Sequence, residues 1–367
     1  MSNTSDARAP RRPRVAVVLS GWPRVSEVFA LNELLAMKRV GMLAAVFALK
    51  AGEEGAPQPA AAELEPFVEL IPPGDVWTQA ATVAARLAGT DVAGVHGYFA
   101  HDPAAVAAET SALLGIPYGF SVHALDARKV AHADLVERAA KAAVVISCNR
   151  DAAAEVAAVG TTPLLVPHGV DLAAFAPSDP PCAEPVSLLA VGRLVEKKGF
   201  DVLIDALAQL HRPFALRLVG DGPLRLSLTA AVEARGLAGR VEMVGRRTHG
   251  TLPDLYAAAD LVVVPSVVDS RGDRDGLPNV VLEAMASQRP VVASDVAAIS
   301  TAVRHSVTGL LVPPGDAGAL ARALRDLIDA PARRATLGLA ARGIVEREFS
   351  LGSRTAEFCR TLELAYG

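Results

Sequence analysis

Three cysteines, Cys148, Cys182 and Cys359, stand far apart in a chain of 367 residues. They make neither a C-x-x-C pair nor an even framework, which points to a reducing compartment and argues against a structural zinc site. No apolar run approaches the ~20 residues that a membrane-spanning helix needs. The formal net charge of −4 leaves no global basic field for nucleic acid. Neither G-x-G-x-x-G nor G-x-x-x-x-G-K-[ST] occurs, so the two common phosphate-binding fingerprints are absent. Arg8, Arg11, Arg12 and Arg14 precede VAVVLSGW in the manner of a signal peptide. That apolar run is only strand-length, however, and no small-residue cleavage pattern follows. Residues 1–13 are therefore expected to form a disordered tail.

Apolar residues make up 51% of the chain and charged residues 21%, which suits sizeable cores in two domains. Apolar strands at 15–20, 43–49, 92–98, 118–122, 143–147 and 164–167 alternate with Ala/Leu-rich helical segments. Strands that are apolar throughout, alternating with helices, argue for an α/β fold with a parallel sheet covered on both faces. Near Asp171 the pattern breaks, and FAPSDPPCAEP at 175–185 reads as a proline-rich linker. Alternation restarts at 186–191 and runs to a last helix near 353–365. The expected organisation is a domain at 14–174, the linker, a domain at 186–348 and a C-terminal segment at 349–367. Both domains would be doubly wound and Rossmann-like, facing across a cleft, with ligands beyond the carboxyl ends of the strands.

The stretch RGDRDGLPNVVLEAMASQRP at 271–290 holds Asp275 and Glu283 with seven residues between them. Gly276-Leu277-Pro278-Asn279 should open a helix, with Pro278 in its first turn, where a missing N–H costs nothing. Unpaired N–H groups there can hold an anion. The two carboxylates could reach different ends of one ligand; an acidic loop before a solvated helix reads equally well from this stretch alone. A second piece, Gly192 to Gly199 (GRLVEKKG), follows a strand and offers an Arg and two Lys, a good set for a diphosphate. The third, Gly220-Asp221-Gly222-Pro223, permits a tight turn. The fourth, VPHGVD at 166–171, reads as a strand end whose His168 is structural. Asp269, Asp273 and Asp275 form an acidic run that reads as loop chemistry rather than a metal site.

Together these pieces resemble the retaining, GT-B-type glycosyltransferases of the large family four. The resemblance is carried by PHGVDLAAF, VGRLVEKKGFDVLIDAL, LRLVGDGPLR, VEMVGRRTHGTLPDLYAAADLVVVPS and DRDGLPNVVLEAMASQRPVVASDVAAISTAVRHSVTGLLVPPGD. More loosely it extends to GWPRVSEVFALNELLAM, VHGYFA, SVHALDA and VISCNRDAAAEV. The segment WPRVSEVF looks like the branch that builds bacterial surface polysaccharides.

The resemblance implies a nucleoside-diphosphate sugar donor on the second domain. Arg193 and Lys198 match the positions that hold the diphosphate, and Glu283 matches the acidic residue that takes the ribose hydroxyls. Asp275 matches the acidic residue near the donor sugar, where the family more commonly has Glu. Gly276, Leu277, Pro278 and Asn279 would bring the helix N-terminus to the donor. The base would lie near Gly245 and Arg246, with UDP, GDP and ADP all open. Gly21 would let the donor or acceptor approach. His123 matches a histidine that faces the donor sugar, with His96 and Tyr98 lining the acceptor pocket. Ser26 and Glu27 could instead simply cap a helix. The C-terminal helix would cross back to the first domain.

The activity implied is transfer of a hexose to an acceptor hydroxyl with retained configuration. It would need no metal and no other cofactor, and it would serve polysaccharide or glycoconjugate biosynthesis. The acceptor could be a carbohydrate, a lipid-linked sugar or a small molecule. No nucleic-acid partner is expected; the location is cytoplasmic, with peripheral contact at the inner face of the plasma membrane left open. A sugar-nucleotide epimerase, a natural-product glycosyltransferase and a scaffold with a decayed site are the competing readings.

Overall fold

The structure is a computed structural model that describes residues 12–24, 27–52, 58–123, 126–178 and 184–367. The expected tail through residue 11, the cap at Ser26, part of the loop at 51–59 and the middle of the linker lie outside them. The chain forms two compact units. Unit 1 comprises residues 1–148, 153–166 and 355–367, and unit 2 comprises 149–152 and 167–354.

Unit 1 contains β1 (Arg14–Leu19), α1 (Val28–Arg39), β2 (Leu43–Ala48), β3 (Val68–Leu70), α2 (Val76–Leu87) and β4 (Val92–Gly97). It continues with α3 (Asp102–Leu114), β5 (Tyr118–Val122), α4 (His132–Lys141), β6 (Val144–Ser147), α5 (Arg150–Ala157, of which residues 150–152 fall in unit 2) and β7 (Leu164–Leu165). Its seven strands run in the order β3-β2-β1-β4-β5-β6-β7, and every pairing is parallel. Val15 to Leu19 are all buried, because helices cover both faces of such a sheet. Asp75 caps α2 by accepting the Thr78 N–H at 2.7 Å. The N-cap of α1 is Glu27, which makes no side-chain capping bond.

Unit 2 contains β8 (Val186–Val191), α6 (Phe200–Ala208), β9 (Phe214–Val219), α7 (Arg225–Ala234), β10 (Val241–Gly245) and α8 (Leu252–Ala257). After these come β11 (Leu261–Val264), α9 (Asn279–Ala286), β12 (Val291–Ser294), β13 (Gly309–Val312), α10 (Ala317–Ile328) and α11 (Pro331–Glu348). The strand order is β10-β9-β8-β11-β12-β13, again parallel throughout. The last helix, α12 (Leu351–Tyr366), starts in unit 2 and from Thr355 belongs to unit 1. There Phe358, Cys359, Leu362 and Tyr366 enter the core that holds Val15, Val17 and Leu19.

The boundary expected at the proline-rich stretch is displaced. The main run of unit 2 begins at Pro167, ahead of that stretch, because the intervening residues have apolar side chains that pack there. Val170 and Phe175 sit in the core formed by α8, β11 and α9. Val170 also pairs with the segment after α11, donating to Phe349 O at 2.9 Å and accepting from Leu351 N at 2.9 Å. Arg289, 2% exposed, donates to Tyr256 O at 2.9 Å and Ala257 O at 3.0 Å. It thereby caps the last carbonyls of α8, sharing Tyr256 O with the Ala259 N–H at 3.1 Å.

Candidate active site

In unit 2 the chain lays down β8, β9 and β10 in one direction and returns to place β11 on the other side of β8. Loops diverge at such a reversal, and a ligand can settle between them beyond the strand carboxyl ends. The loop after β8 runs from Gly192 to Gly199, and the loop after β11 runs from Pro265 to Pro278. Residues Glu196–Lys198 make one tight turn. Gly199 closes it at φ +62°, and a Cβ there would lie 2.0 Å from Pro265 O. Only glycine allows that approach. The Val267 N–H also donates to Lys197 O at 2.9 Å, so the two loops are bound backbone to backbone.

Lys198 donates to Asp275 Oδ2 at 2.7 Å, and Ser266 donates to the same oxygen at 3.0 Å. Lys197 lies 3.7 Å from Asp275 Oδ1 and 3.0 Å from Asp273 Oδ2. Burial pushes the Asp275 carboxyl upward. Lys198 foremost, then Lys197 and Ser266, outweigh burial and hold it below its usual range. Asp273 and Asp275 are thus paired with lysines. Asp269 closes its own loop, accepting from the Arg271 N–H at 2.9 Å and the Asp273 N–H at 2.8 Å. Arg193 is exposed, on the same loop as Lys198.

The second carboxylate lies within α9, and Glu283 is buried. Tyr256 donates to its Oε2 at 2.8 Å, and His249 Nε2 is 3.2 Å from its Oε1. Burial, reinforced by the adjacent Glu283, pushes the Tyr256 phenol well above its usual value, so it remains a donor. One expectation needs correction. Pro278 stands at the N-cap of α9 with ψ 136°, outside the first turn; proline's clash with a preceding helical residue favours such a junction. Leu277 packs partly on the core, Gly276 is buried, and Asn279 opens the helix half-buried. Gly245 ends β10 at φ +78°, followed by the exposed Arg246.

In unit 1, His123 follows β5, its ring 5.0 Å from those of Tyr98 and Phe99 and 5.1 Å from that of Phe29. Its backbone N–H donates to Asp126 Oδ1 at 2.8 Å. Asp126 Oδ2 accepts the Ala100 N–H at 2.9 Å, so one carboxyl ties the loop after β4 to the loop after β5. Burial raises the Asp126 carboxyl to about 7, against the lowering effect of these N–H donors.

His96 does not line a pocket. It is 0% exposed, with Nδ1 3.1 Å from Tyr366 Oη and Nε2 2.9 Å from Ser121 Oγ. It is a satisfied core histidine, and burial lowers it to about 3. Tyr98 is enclosed too, donating to Glu33 of α1 while its ring supports His123. The small residue at Gly21 has an internal cause: a Cβ there would lie 3.2 Å from both Lys50 O and Ala51 O. The structure gives no ground for a ligand contact at either His96 or Gly21.

Sequence reasoning offered Lys197 only as one of the two lysines of its loop and did not single out Ser266, Tyr256 or His249. Tyr256 in LPDLYAAAD reads as a core aromatic, and only the packing of α8 on α9 turns its hydroxyl to Glu283.

Two parallel α/β units, the second with a lysine-carboxylate cluster at its strand reversal, define a GT-B-type fold. An Anabaena protein crystallised in complex with UDP superposes with a TM-score of 0.80 at 22% identity, over 95% of this chain and 99% of that one. Residues 185–330 match the family described as glycosyl transferases group 1. An amylovoran biosynthesis glycosyltransferase of Erwinia amylovora is 37% identical over 170 residues, 46% of this chain and 42% of the relative. The α-D-kanosaminyltransferase of Streptomyces kanamyceticus is 33% identical over 169 residues, 45% of this chain and 42% of the relative. These matches span less than half the length of either relative. The match to the group 1 glycosyltransferase family lies within unit 2.

Proposed function

We propose that the chain transfers a hexose from a nucleoside-diphosphate sugar to an acceptor hydroxyl, with retention of configuration and without a metal. The observation that carries this reading is the cluster on the paired loops of unit 2. Lys198 and Arg193 share one loop, Asp275 lies against Lys198 at 2.7 Å, and Glu283 stands beyond the intervening turn. As the glycosidic bond breaks, negative charge grows on the departing diphosphate, and fixed cations stabilise it more than they stabilise the ground state. That is the task a divalent metal would otherwise serve. Glu283, with Tyr256 fixing one oxygen, can accept hydrogen bonds from two vicinal ribose hydroxyls once His249 yields the other. The acceptor hydroxyl then attacks from the face the diphosphate leaves, and the leaving phosphate takes its proton.

His123, braced by three aromatic rings, is assigned to the acceptor half of the reaction. The similar Anabaena protein was crystallised with UDP, which supports a nucleotide ligand. The Erwinia relative supports polysaccharide or glycoconjugate assembly, which we place on the cytoplasmic side. Among the described residues no helix is long and apolar enough to cross a membrane. Incubation with UDP-, GDP- and ADP-hexoses and a panel of glycan acceptors tests the reading. Transfer with retained anomeric configuration, undiminished by EDTA, is expected. Inverted product or abolition by EDTA contradicts the corresponding part.

A further inference from the structure

Three consecutive residues of the turn after β8 each grip the loop after β11. Glu196 accepts from Ser270 N and Oγ, both at 2.8 Å. Lys197 reaches Asp273 at 3.0 Å, and Lys198 reaches Asp275 at 2.7 Å. The middle contact differs from the other two, because Lys197 lies between two carboxylates. It holds Asp273 through Oδ2, while Asp273 Oδ1 is enclosed without a hydrogen-bond partner. Its ammonium is also 3.7 Å from Asp275 Oδ1, the oxygen that Lys198 and Ser266 leave uncovered.

Without donor, Lys198 is neutralised by Asp275. A diphosphate that draws Lys198 away would leave Asp275, only 9% exposed, as a buried carboxylate short of its main counter-ion. That is strongly unfavourable unless another cation replaces it. We infer that Lys197 is this reserve counter-ion, a positioning residue that moves from Asp273 to Asp275 and so releases Lys198 to the donor diphosphate. The backbone bond from Val267 N to Lys197 O fixes the base of the side chain, so only its ammonium needs to swing. Asp273 is the more exposed of the two carboxylates, with 24% of its side chain accessible against 10% for Asp275, and solvent can compensate its loss more readily.

The inference rests on the donor reading above, and calorimetric titration with UDP, GDP and ADP separates the two. Binding of none of them by the parent protein contradicts the donor reading itself. If the parent binds one, Lys197→Met should weaken that binding about tenfold or more, and Lys197→Arg should keep most of it. Asp273→Asn should bind more tightly, because it frees Lys197 for Asp275. In an Asp275→Asn background, Lys197→Met should have no further effect. A purely structural staple predicts otherwise: breaking the Lys197–Asp273 contact from either side would weaken binding alike. That equality, or Lys197→Met binding like the parent, overturns the reserve role.

Discussion

Tyr256 Oη lies 2.8 Å from Glu283 Oε2, in the core of unit 2 between α8 and α9. The bond fixes the carboxylate plane from behind, and Arg289, which holds the Tyr256 carbonyl at 2.9 Å, fixes the end of α8. Tyr256→Phe removes the donor and leaves a buried carboxylate oxygen unsatisfied. A loss of about 1.5–3 kcal/mol of stability is expected for a hydrogen bond to a charged group. If Glu283 takes the ribose as proposed, the donor KM should also rise by more than kcat falls, since that contact would be made before the transition state. Urea unfolding and steady-state kinetics on the same variant check both effects. An unchanged KM would detach Glu283 from the ribose.

On the proposed reading, Asp275, 2.7 Å from Lys198, competes with the donor diphosphate for it. Asp275→Asn should therefore bind free nucleoside diphosphate more tightly than the parent, while transfer to acceptor falls by roughly 10²-fold, as for loss of one electrostatic contact to the reacting centre. Calorimetry gives the first quantity and product formation the second. Weaker nucleotide binding would mean that the carboxylate supports the site in some other way.

His123 is braced by Phe29, Tyr98 and Phe99 and belongs to unit 1. His123→Ala should leave nucleotide affinity within about twofold of the parent, with the loss confined to kcat, since only an interaction gained in the transition state is removed. A nucleotide affinity that fell along with turnover would assign His123 to the donor instead.

The pH dependence of folding has a defined sign at His96. Its folded value is about 3 against 6.5 for the ordinary side chain. Between these values the unfolded chain binds a proton that the folded chain refuses, so stability is lost as pH falls from 6.5 toward 3. The slope from this group approaches about 1.4 kcal/mol per pH unit. Asp126, raised to about 7, acts in the opposite sense, losing stability as pH rises from its ordinary carboxylate value toward 7. His96→Gln should flatten the acid limb of parent stability measured by urea unfolding from pH 4 to 7. An identical acid limb in both proteins would place that sensitivity elsewhere.

Much of the alternation was legible because strands buried on both faces are continuously apolar; Val15 to Leu19 and Leu261 to Val264 show it directly. The loops carrying Lys198, Asp275 and Glu283 could be placed because each follows or opens a recognisable element. Other features depended on contacts distant in sequence. His96 lies at a strand end like a ligand-binding residue, and only Tyr366, 270 positions away, reveals that its Nδ1 is already satisfied. Pro167 to Phe175 looked like the end of the first domain until Val170 paired with the segment after α11. The division of Lys197 between two carboxylates is a matter of ångströms that spacing cannot supply.

The central claim is that the paired loops after β8 and β11 hold a nucleoside diphosphate through Lys198. The most direct measurement is calorimetric titration of the parent and of Lys198→Ala with UDP-, GDP- and ADP-glucose, beside transfer assays and a circular-dichroism check of fold. The account predicts that the parent binds one of these donors, and that Lys198→Ala keeps its fold while kcat/KM falls roughly 10²–10³-fold. A folded Lys198→Ala protein that binds and turns over like the parent would contradict it.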